Sequence, residues 1–174
     1  MCPIVVKKIN DDEKTFLKIL RKNSGDSPEN IAKKCGFSRQ KVWRIKKRLE
    51  KDKTIWGYPA VVDDEKLDMK RYMLLVKKSA QPVSDAINKI IDLTMQKKRK
   101  EIRVEILSGA YLHGKYDWVL IISAKDIINV KKFSETFLKE YQQMIREIDI
   151  MEYIFPIKEC GITNPEIKKI KEFF

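Results

Sequence analysis

The sequence predicts an α+β protein in two parts, the first helical and the second alternating between strands and helices. Before about residue 53, apolar residues recur at helical spacing in three segments. After about residue 70, β-rich runs alternate with helical patterns. Thr54–Asp63 lies between them and contains Gly57 and Pro59, which predicts an interrupted wing or linker strand. We therefore assign residues 1–63 to a first domain, and residues 64–174, with a C-terminal helical tail, to a second.

Three helices are predicted in the first domain. Asp11–Asn23 has acidic residues in its first turn, where the helix dipole favours them. Ser27 caps a short second helix that Gly36 ends in a left-handed conformation. Ser38 caps a third helix, which runs to about Lys53 and has an apolar seam formed by Val42, Ile45 and Leu49. Two helices joined by a tight glycine turn predict a helix-turn-helix, of the winged type if Thr54–Asp63 pairs as a strand.

The second domain is predicted to have the order β-α-β-β-α-β, the ferredoxin-like arrangement. Its predicted strands are Arg71–Lys78, Ile106–His113, Asp117–Ala124 and Ile148–Lys158. Its predicted helices run from Pro82 to about Gln96 and from Asp126 to about Gln143. The last strand is apolar on both faces. We therefore expect the open face of the sheet to pack against another subunit.

The charge of the chain is uneven. The net charge is +12, and residues 1–60 hold 16 Lys and Arg against 7 Asp and Glu, while residues 61–174 hold 21 against 18. A concentrated basic segment indicates a polyanionic partner for the first domain. The alternative is a generally lysine-rich surface that serves solubility alone.

Several classes of protein are disfavoured by composition. Cys2, Cys35 and Cys160 form no CxxC pair, so neither a disulfide framework nor a zinc site is expected. His113 is the only histidine, and we interpret it as a structural residue rather than a catalytic base. We expect no enzyme activity, metal or cofactor. No apolar run approaches the ~20 residues that span a bilayer, and no secretory signal is evident, so a cytoplasmic protein is expected.

The third helix carries the strongest functional signal. A helix with an apolar seam on one side and cations on the other fits the major groove of duplex DNA. Since recognition helices contact base edges mainly from their N-terminal residues, we assign base readout to Arg39, Gln40, Lys41 and Arg44. Phosphate contacts are assigned to Lys46, Lys47 and Arg48, and to the amides of the helices headed by Ser27 and Ser38. Trp43 could pack or stack on a sugar, and packing is favoured.

Two further segments have open interpretations. Lys97–Lys100 is a basic run before the second strand, and it is either a second nucleic-acid contact or a solvated loop, with the loop favoured. The C-terminal segment from Asn164 has an apolar stripe of Ile167, Ile170 and Phe174. That stripe predicts a contact with a domain or subunit rather than a membrane anchor.

Three segments resemble the Lrp/AsnC family, also called feast/famine regulatory proteins. They are SRQKVWRIKKRLEKD at 38–52, IWGYPAVVDDEKL at 55–67 and GKYDWVL at 114–120. The first few residues, the basic loop near 97–103 and the tail after about Gly161 lie outside the resemblance. It implies a DNA-binding transcription regulator with an effector-binding, oligomerising second domain. Implied partners are double-stranded DNA, an amino acid or other small effector, and further copies of the chain as a dimer, tetramer or octamer.

The resemblance also implies an effector site. Gly114, Tyr116 and Asp117 match the glycine turn and acidic residue that help bind the ligand in the family, with Met151 and Tyr153 near the ligand in the fourth strand. The family often has hydroxyl residues at those strand positions, so a plain hairpin turn is an equal alternative. Two other functions stay open. One is an architectural DNA-binding protein with little sequence specificity; the other is a related decarboxylase of a haem precursor, which the basic helix and single histidine disfavour.

Overall fold

A computed structural model describes residues 8–80, 88 and 102–174, and these residues fall into two units. The first unit contains the described residues up to Val62 together with Pro156–Phe174, and the second contains Asp63–Phe155. The division at 62/63 lies one residue from the predicted boundary at 63/64. The C-terminal tail, which the sequence assigned to the second domain, groups with the first.

The first unit begins with three helices, as predicted. They are α1 (Asp11–Leu20), α2 (Pro28–Cys35) and α3 (Arg39–Lys51). The buried side chains between them are those of Phe16, Leu20, Ile31, Ala32, Val42 and Leu49. Ile45 packs against this cluster while partly buried, so the predicted seam of α3 is confirmed. Because Ala32 has a small side chain, α2 and α3 can approach closely at that point.

Local capping sets where α2 and α3 begin and end. The Ser27 and Ser38 hydroxyl oxygens each accept a hydrogen bond from a backbone amide three residues later, both at 3.2 Å. Pro28 occupies the first turn of α2, and Gly36 ends that helix with φ of +68°. An L side chain is strained at such a φ, which explains the glycine in the turn between the helices.

The predicted wing strand is not observed. Residues 54–63 form no strand in the structure, so the first unit is a helix-turn-helix without a wing in the described chain. Pro59 has no backbone N–H to donate to a neighbouring strand, and a glycine such as Gly57 weakens a strand interior. The β-rich composition of this segment is therefore not enough to pair it as a strand. Trp56 is 95% exposed, so its ring adds nothing to a core in this segment.

The second unit contains one antiparallel sheet, which a short 3-10 helix (Asp64–Leu67) precedes. The strands of the sheet are β1 (Lys70–Lys78), β2 (Val104–Tyr111), β3 (Trp118–Ala124) and β4 (Ile145–Glu152), and α4 (Ile127–Glu140) lies between β3 and β4 in the chain. Their order across the sheet is β2-β3-β1-β4. The order matches the predicted ferredoxin-like fold. The predicted helix from Pro82 to about Gln96 lies outside the described residues.

Alternation along β1 separates the two faces of the sheet. Tyr72, Leu74 and Val76 are buried in one cluster with side chains of α4, including Phe133 and Phe137. Residues between them are only partly buried. Met73 is one of these partly buried residues, on the face of β1 away from α4. Its partner in β4 is Met151, which is 48% exposed. The sheet therefore has one face covered by α4 and one face with partly exposed apolar side chains.

The last strand differs from the prediction. It was expected at Ile148–Lys158 and is observed at Ile145–Glu152, because the chain turns directly after α4 and buries Met144 and Ile145. Pro156, which lacks an amide donor, follows its end. The tail then forms a two-stranded ribbon, β5 (Lys158–Glu159) with β6 (Ile162–Thr163), and a 3-10 helix at Ile167–Phe173. No helix among the described residues is long and apolar enough to cross a membrane.

Candidate nucleic-acid interface and hairpin cavity

The side of α3 opposite its buried seam presents Gln40, Arg44 and Lys47. At about 3.6 residues per turn, these positions point away from the seam of Val42 and Leu49. All three are exposed. Among the described residues, neither Gln40 nor Arg44 has a side-chain hydrogen bond or an ion pair, and Lys47 has only a 3.4 Å contact with Glu50. These polar groups are therefore available to a ligand, and we name Gln40, Trp43, Arg44, Lys47 and Lys51 the outward face.

Two members of the outward face are additions to the predicted set. Trp43 was expected to pack, but its side chain is 61% exposed. Its position one residue after Val42 rotates it about 100° away from the seam. Lys51 is also exposed and follows Lys47 by one turn, so it extends the basic surface to the end of α3. The helical period alone could have identified both residues.

Arg39 and Lys41 lie beside the outward face and have acidic partners. Arg39 Nη1 is 2.8 Å from Glu29 Oε1 of α2, and Lys41 Nζ is 2.7 Å from Asp12 Oδ2 of α1. Lys41 Nζ also lies 4.0 Å from the centre of the Phe37 ring. Exposed ion pairs of this kind contribute ~0–1 kcal/mol, so a phosphate can replace the carboxylate at little cost.

Arg48 has a different role from the predicted phosphate contact. Its guanidinium pairs with the carboxylate of Glu13, whose side chain is only 1% exposed. The other oxygen of Glu13 accepts a hydrogen bond of 3.0 Å from the Asn10 amide, which completes a capping box at the start of α1. A carboxylate this buried needs a partner charge. Arg48 therefore joins α3 to α1 through this ion pair, and its phosphate contact stays a prediction.

Lys46 lies on the other flank of α3, near the segment that follows the helix. Its Nζ is 4.6 Å from the centre of the Tyr58 ring. The Tyr58 hydroxyl donates a 2.9 Å hydrogen bond to Glu50 Oε1. Partial burial and the Glu50 carboxylate raise the pKa of Tyr58 to about 12, and the same hydrogen bond lowers the pKa of Glu50. The hydrogen bond from Tyr58 thus fixes the position of the Glu50 carboxylate. Lys46 itself is half-buried.

The two capping serines lie at exposed helix starts, as predicted. Ser27 heads α2 and Ser38 heads α3. The amides of Asn30 and Lys41 are already bonded to the serine oxygens. A phosphate at either helix start would therefore meet the hydroxyl proton and the amides nearer to the serine.

A separate cavity of about 450 Å³ lies at the hairpin between β2 and β3 of the second unit. Its lining residues are Lys78, Tyr111, Leu112, His113, Gly114 and Asp117. Asp117 Oδ2 accepts a 2.9 Å hydrogen bond from the Lys78 amide, and Lys78 Nζ donates a 3.2 Å bond to the Tyr111 hydroxyl. Lys78 Nζ lies 3.8 Å from Asp117 Oδ1. The cavity thus contains one cation and one carboxylate, already close to each other.

The predicted effector residues do not form one cluster within the chain. The Asp117 amide bonds to the Val76 carbonyl, whereas Met151 pairs with Met73 and the Tyr153 amide bonds to the Arg71 carbonyl. At about 3.4 Å per residue along β1, Met151 and Tyr153 lie roughly 10 and 17 Å from the hairpin level. Within a single chain these two residues therefore lie apart from Asp117, and their place near an effector stays a prediction.

Tyr116, which was predicted to bind the effector, contacts β4 instead of the hairpin cavity. Its hydroxyl donates a 2.6 Å hydrogen bond to Asp149 Oδ2 of β4, and this bond is the main cause of the raised pKa of Tyr116. Tyr116 does not line the hairpin cavity. Gly114 does, and no atom lies within 4 Å of where its Cβ would stand, so the cavity does not require a glycine there.

The two cations at the end of α3 should respond differently to removal. Arg48→Ala leaves the buried Glu13 charge unpaired, which costs about 3–5 kcal/mol for a fully buried pair and somewhat less for the half-exposed Arg48. Lys47→Ala should change stability by no more than about 0.5 kcal/mol. Urea unfolding of both variants measures the difference. Adding Glu13→Gln to Arg48→Ala should recover part of the stability; equal stability of the two single variants would contradict the assignment.

Comparisons with known proteins agree with this architecture. No protein-family profile matches the chain. The chain is 24% identical over 157 residues to an uncharacterized HTH-type transcriptional regulator of Pyrococcus furiosus, and the match covers 89% of this chain and 97% of that protein. Among solved structures, it resembles an AsnC family transcriptional regulator from Agrobacterium tumefaciens, with a TM-score of 0.60 and 20% identity, covering 87% of this chain and 94% of that one.

A second solved structure is a feast or famine regulatory protein from Mycobacterium tuberculosis in complex with L-methionine. The TM-score is 0.66 with 15% identity, and the match covers 87% of this chain and 96% of that one. The sequence relative is thus an HTH-type transcriptional regulator, and the structural relatives combine the same two units. The chain has the fold of the Lrp/AsnC regulators, and the resemblance predicted from its sequence is confirmed.

Proposed function

We propose that this protein is a DNA-binding transcription regulator, rather than an enzyme, whose outward face of α3 enters the major groove. One observation carries the proposal. Gln40, Arg44 and Lys47 are exposed on a helix whose other side is anchored by buried Val42 and Leu49. The similarity to HTH-type transcriptional regulators supports the same function.

The outward face has groups suited to both kinds of DNA contact. Arg44 can bind guanine O6 and N7, and Gln40 can bind adenine N6 and N7, each discriminating by about 1–3 kcal/mol. Lys47 and Lys51 are suited to phosphates, and Arg39 and Lys41 can join them by releasing Glu29 and Asp12. The exposed indole of Trp43 offers apolar contact to a thymine methyl or a sugar.

The protein is proposed to act as a dimer or a larger assembly. The sheet face opposite α4 carries the partly exposed apolar side chains of Met73, Leu75 and Met151. A second copy would cover them, as expected from the sequence. Pairing also fits recognition, because dimers of helix-turn-helix proteins place two recognition helices on two half-sites.

Double substitution on the outward face tests the function. Gln40→Ala with Arg44→Ala should abolish preference for the protein's own promoter region over random competitor DNA in a gel-shift titration, because both base-reading groups are removed. The matched control is Gln142→Ala with Lys139→Ala, which also removes one exposed amide and one exposed cation but from the second unit, and it should keep the preference. Both variants should keep the assembly of the wild type on a sizing column, at a mass above that of the 20.6 kDa chain.

Two outcomes would count against this proposal. If the wild-type protein bound promoter and random DNA equally, it would be an architectural DNA-binding protein instead. If the outward-face variant kept the preference of the wild type, another surface would read the sequence.

We also propose that the hairpin cavity takes a small zwitterionic effector such as an amino acid. The Lys78 ammonium group would bind the carboxylate of the effector, and the Asp117 carboxylate would bind the effector's ammonium group. The 3.8 Å contact between Lys78 and Asp117 would be replaced by these two contacts. The complex of the M. tuberculosis relative with L-methionine makes that amino acid the first probe. Met151 and Tyr153 could take part only from a second copy, since they lie away from the cavity within the chain.

Asp117→Asn should lower the affinity for the amino acid, since it removes the charge that would face the ammonium group. Isothermal titration with L-methionine, followed by the other amino acids, measures the change. Glu147→Gln is a suitable control because Glu147 pairs with Lys77 at 2.9 Å and does not line the cavity. Unchanged affinity in Asp117→Asn, or no amino-acid binding by the wild type, would rule out this effector role.

A further inference from the structure

A second depression of the second unit gathers three cations at one edge of the sheet. Its volume is about 370 Å³, and its lining residues are Ile102, Arg103, Lys125, Asp126, Asn129 and Lys132. Arg103 precedes β2, Lys125 follows β3, and Lys132 lies in the second turn of α4. We name this feature the basic depression.

The register of the sheet brings two of these cations together. Val104 pairs with Ala124 in the antiparallel β2–β3 ladder. Arg103 directly precedes Val104 and Lys125 directly follows Ala124, so both cations lie at the same end of the ladder. Like charges brought close together repel each other unless an anion compensates them.

The depression has almost no compensating charge of its own. Asp126 is the only carboxylate in its lining, and its side chain already accepts a 2.9 Å hydrogen bond from the Asn129 amide at the start of α4. Three cations against one carboxylate leave a net charge of +2 on the lining. Arg103, Lys125 and Lys132 form no ion pair with any described carboxylate, whereas Lys70, Lys77 and Lys78 of β1 are all paired.

The start of α4 adds to the positive charge at the same place. The lining includes Asp126 and Asn129 at the N-terminal end of this 14-residue helix, where the helix dipole adds partial positive charge.

We propose that the basic depression is a second DNA-binding site, which binds phosphates of the duplex backbone independently of the base-reading face of α3. Its open form, with all three cations exposed, fits a backbone that passes over the surface. Duplex DNA presents a phosphate charge about every 1.7 Å of its axis, so neighbouring cations can each meet a separate phosphate. The interaction is sequence-independent and adds affinity rather than specificity.

The basic run Lys97–Lys100 precedes this site in the sequence but lies outside the described residues, so it is not part of the proposed site. Short Lys- and Arg-rich runs are typical of nucleic-acid patches. Whether this run contacts nucleic acid or is a solvated loop stays a prediction from the sequence.

The salt dependence of binding to a random-sequence duplex tests the site in the full-length protein. The variant is Arg103→Gln with Lys125→Gln and Lys132→Gln. Removing one phosphate-binding cation should reduce the slope of log affinity against log salt by about 0.9, so the triple variant should have a slope smaller by up to about 2.7. A second triple variant, Arg103→Lys with Lys125→Arg and Lys132→Arg, keeps the charges and should keep the wild-type slope.

The matched control removes three charges elsewhere in the second unit. Lys115→Gln with Lys139→Gln and Arg146→Gln changes exposed cations that do not line the depression, and it should leave the slope near that of the wild type. Equal slopes for the two glutamine variants would overturn the proposal, because net charge alone would explain them. An unfolding scan of each variant confirms that the fold is intact. If the triple glutamine variant unfolds, the single variant Lys125→Gln decides the matter: the slope should fall by about 0.9, and an unchanged slope would overturn the proposal.

Different experimental results would contradict the second DNA-binding site and the proposed regulator function. If the wild type binds no DNA, the regulator function itself is wrong. If the wild type binds and the Gln40→Ala, Arg44→Ala variant loses only its preference, the function holds. The slope of the depression variant then decides the second site alone.

Discussion

The packing of α3 against α1 and α2 is the constraint on which the candidate DNA interface depends. Val42 and Leu49 are each 2% exposed, and they meet Phe16 and Ala32 in one cluster. Because side chains on a helix rotate by about 100° per residue, burying these two residues determines the direction of every other side chain on α3. Gln40, Arg44 and Lys47 point outward as a consequence of apolar burial on the opposite side.

Acidic residues of α1 and α2 form ion pairs of different strength with the cations of α3. Glu13 is buried and holds Arg48, so this pair is structural. Glu29 and Asp12 are half-exposed and hold Arg39 and Lys41 only weakly. The result is a helix with Gln40 and Arg44 unpaired among the described residues, exchangeable cations at its start and a fixed cation near its end.

Much of this organisation could be predicted from the sequence because local rules determine it. Helical spacing, the Ser27 and Ser38 caps and the Gly36 turn identified the three helices, and β-rich runs identified the sheet strands. The wing strand was predicted wrongly, since β-rich composition does not supply a neighbouring strand for 54–63 to pair with. The start of the fourth strand was misplaced because the burial of Met144 and Ile145 depends on tertiary packing.

The contacts that the sequence could not show join residues that are distant in the chain. Glu13 and Arg48 belong to different helices, and no local pattern shows that one carboxylate is buried. The separation of Met151 and Tyr153 from Asp117 follows from the β1–β4 register, which the sequence does not specify. Trp43 is different, because its position about 100° from Val42 around the helix already places it outside the core. Its aromatic ring had suggested packing.

Entry of α3 into the major groove is the central claim, and methylation interference on a bound promoter fragment tests it most directly. Guanine N7 lies in the major groove and is one of the two acceptors that Arg44 would use, whereas adenine N3 lies in the minor groove. Methylation of guanine N7 at specific positions should prevent binding by the wild type, and the Arg44→Ala variant should lose sensitivity at one of them. Interference only from methylated adenine N3, or from no base at all, would contradict the account.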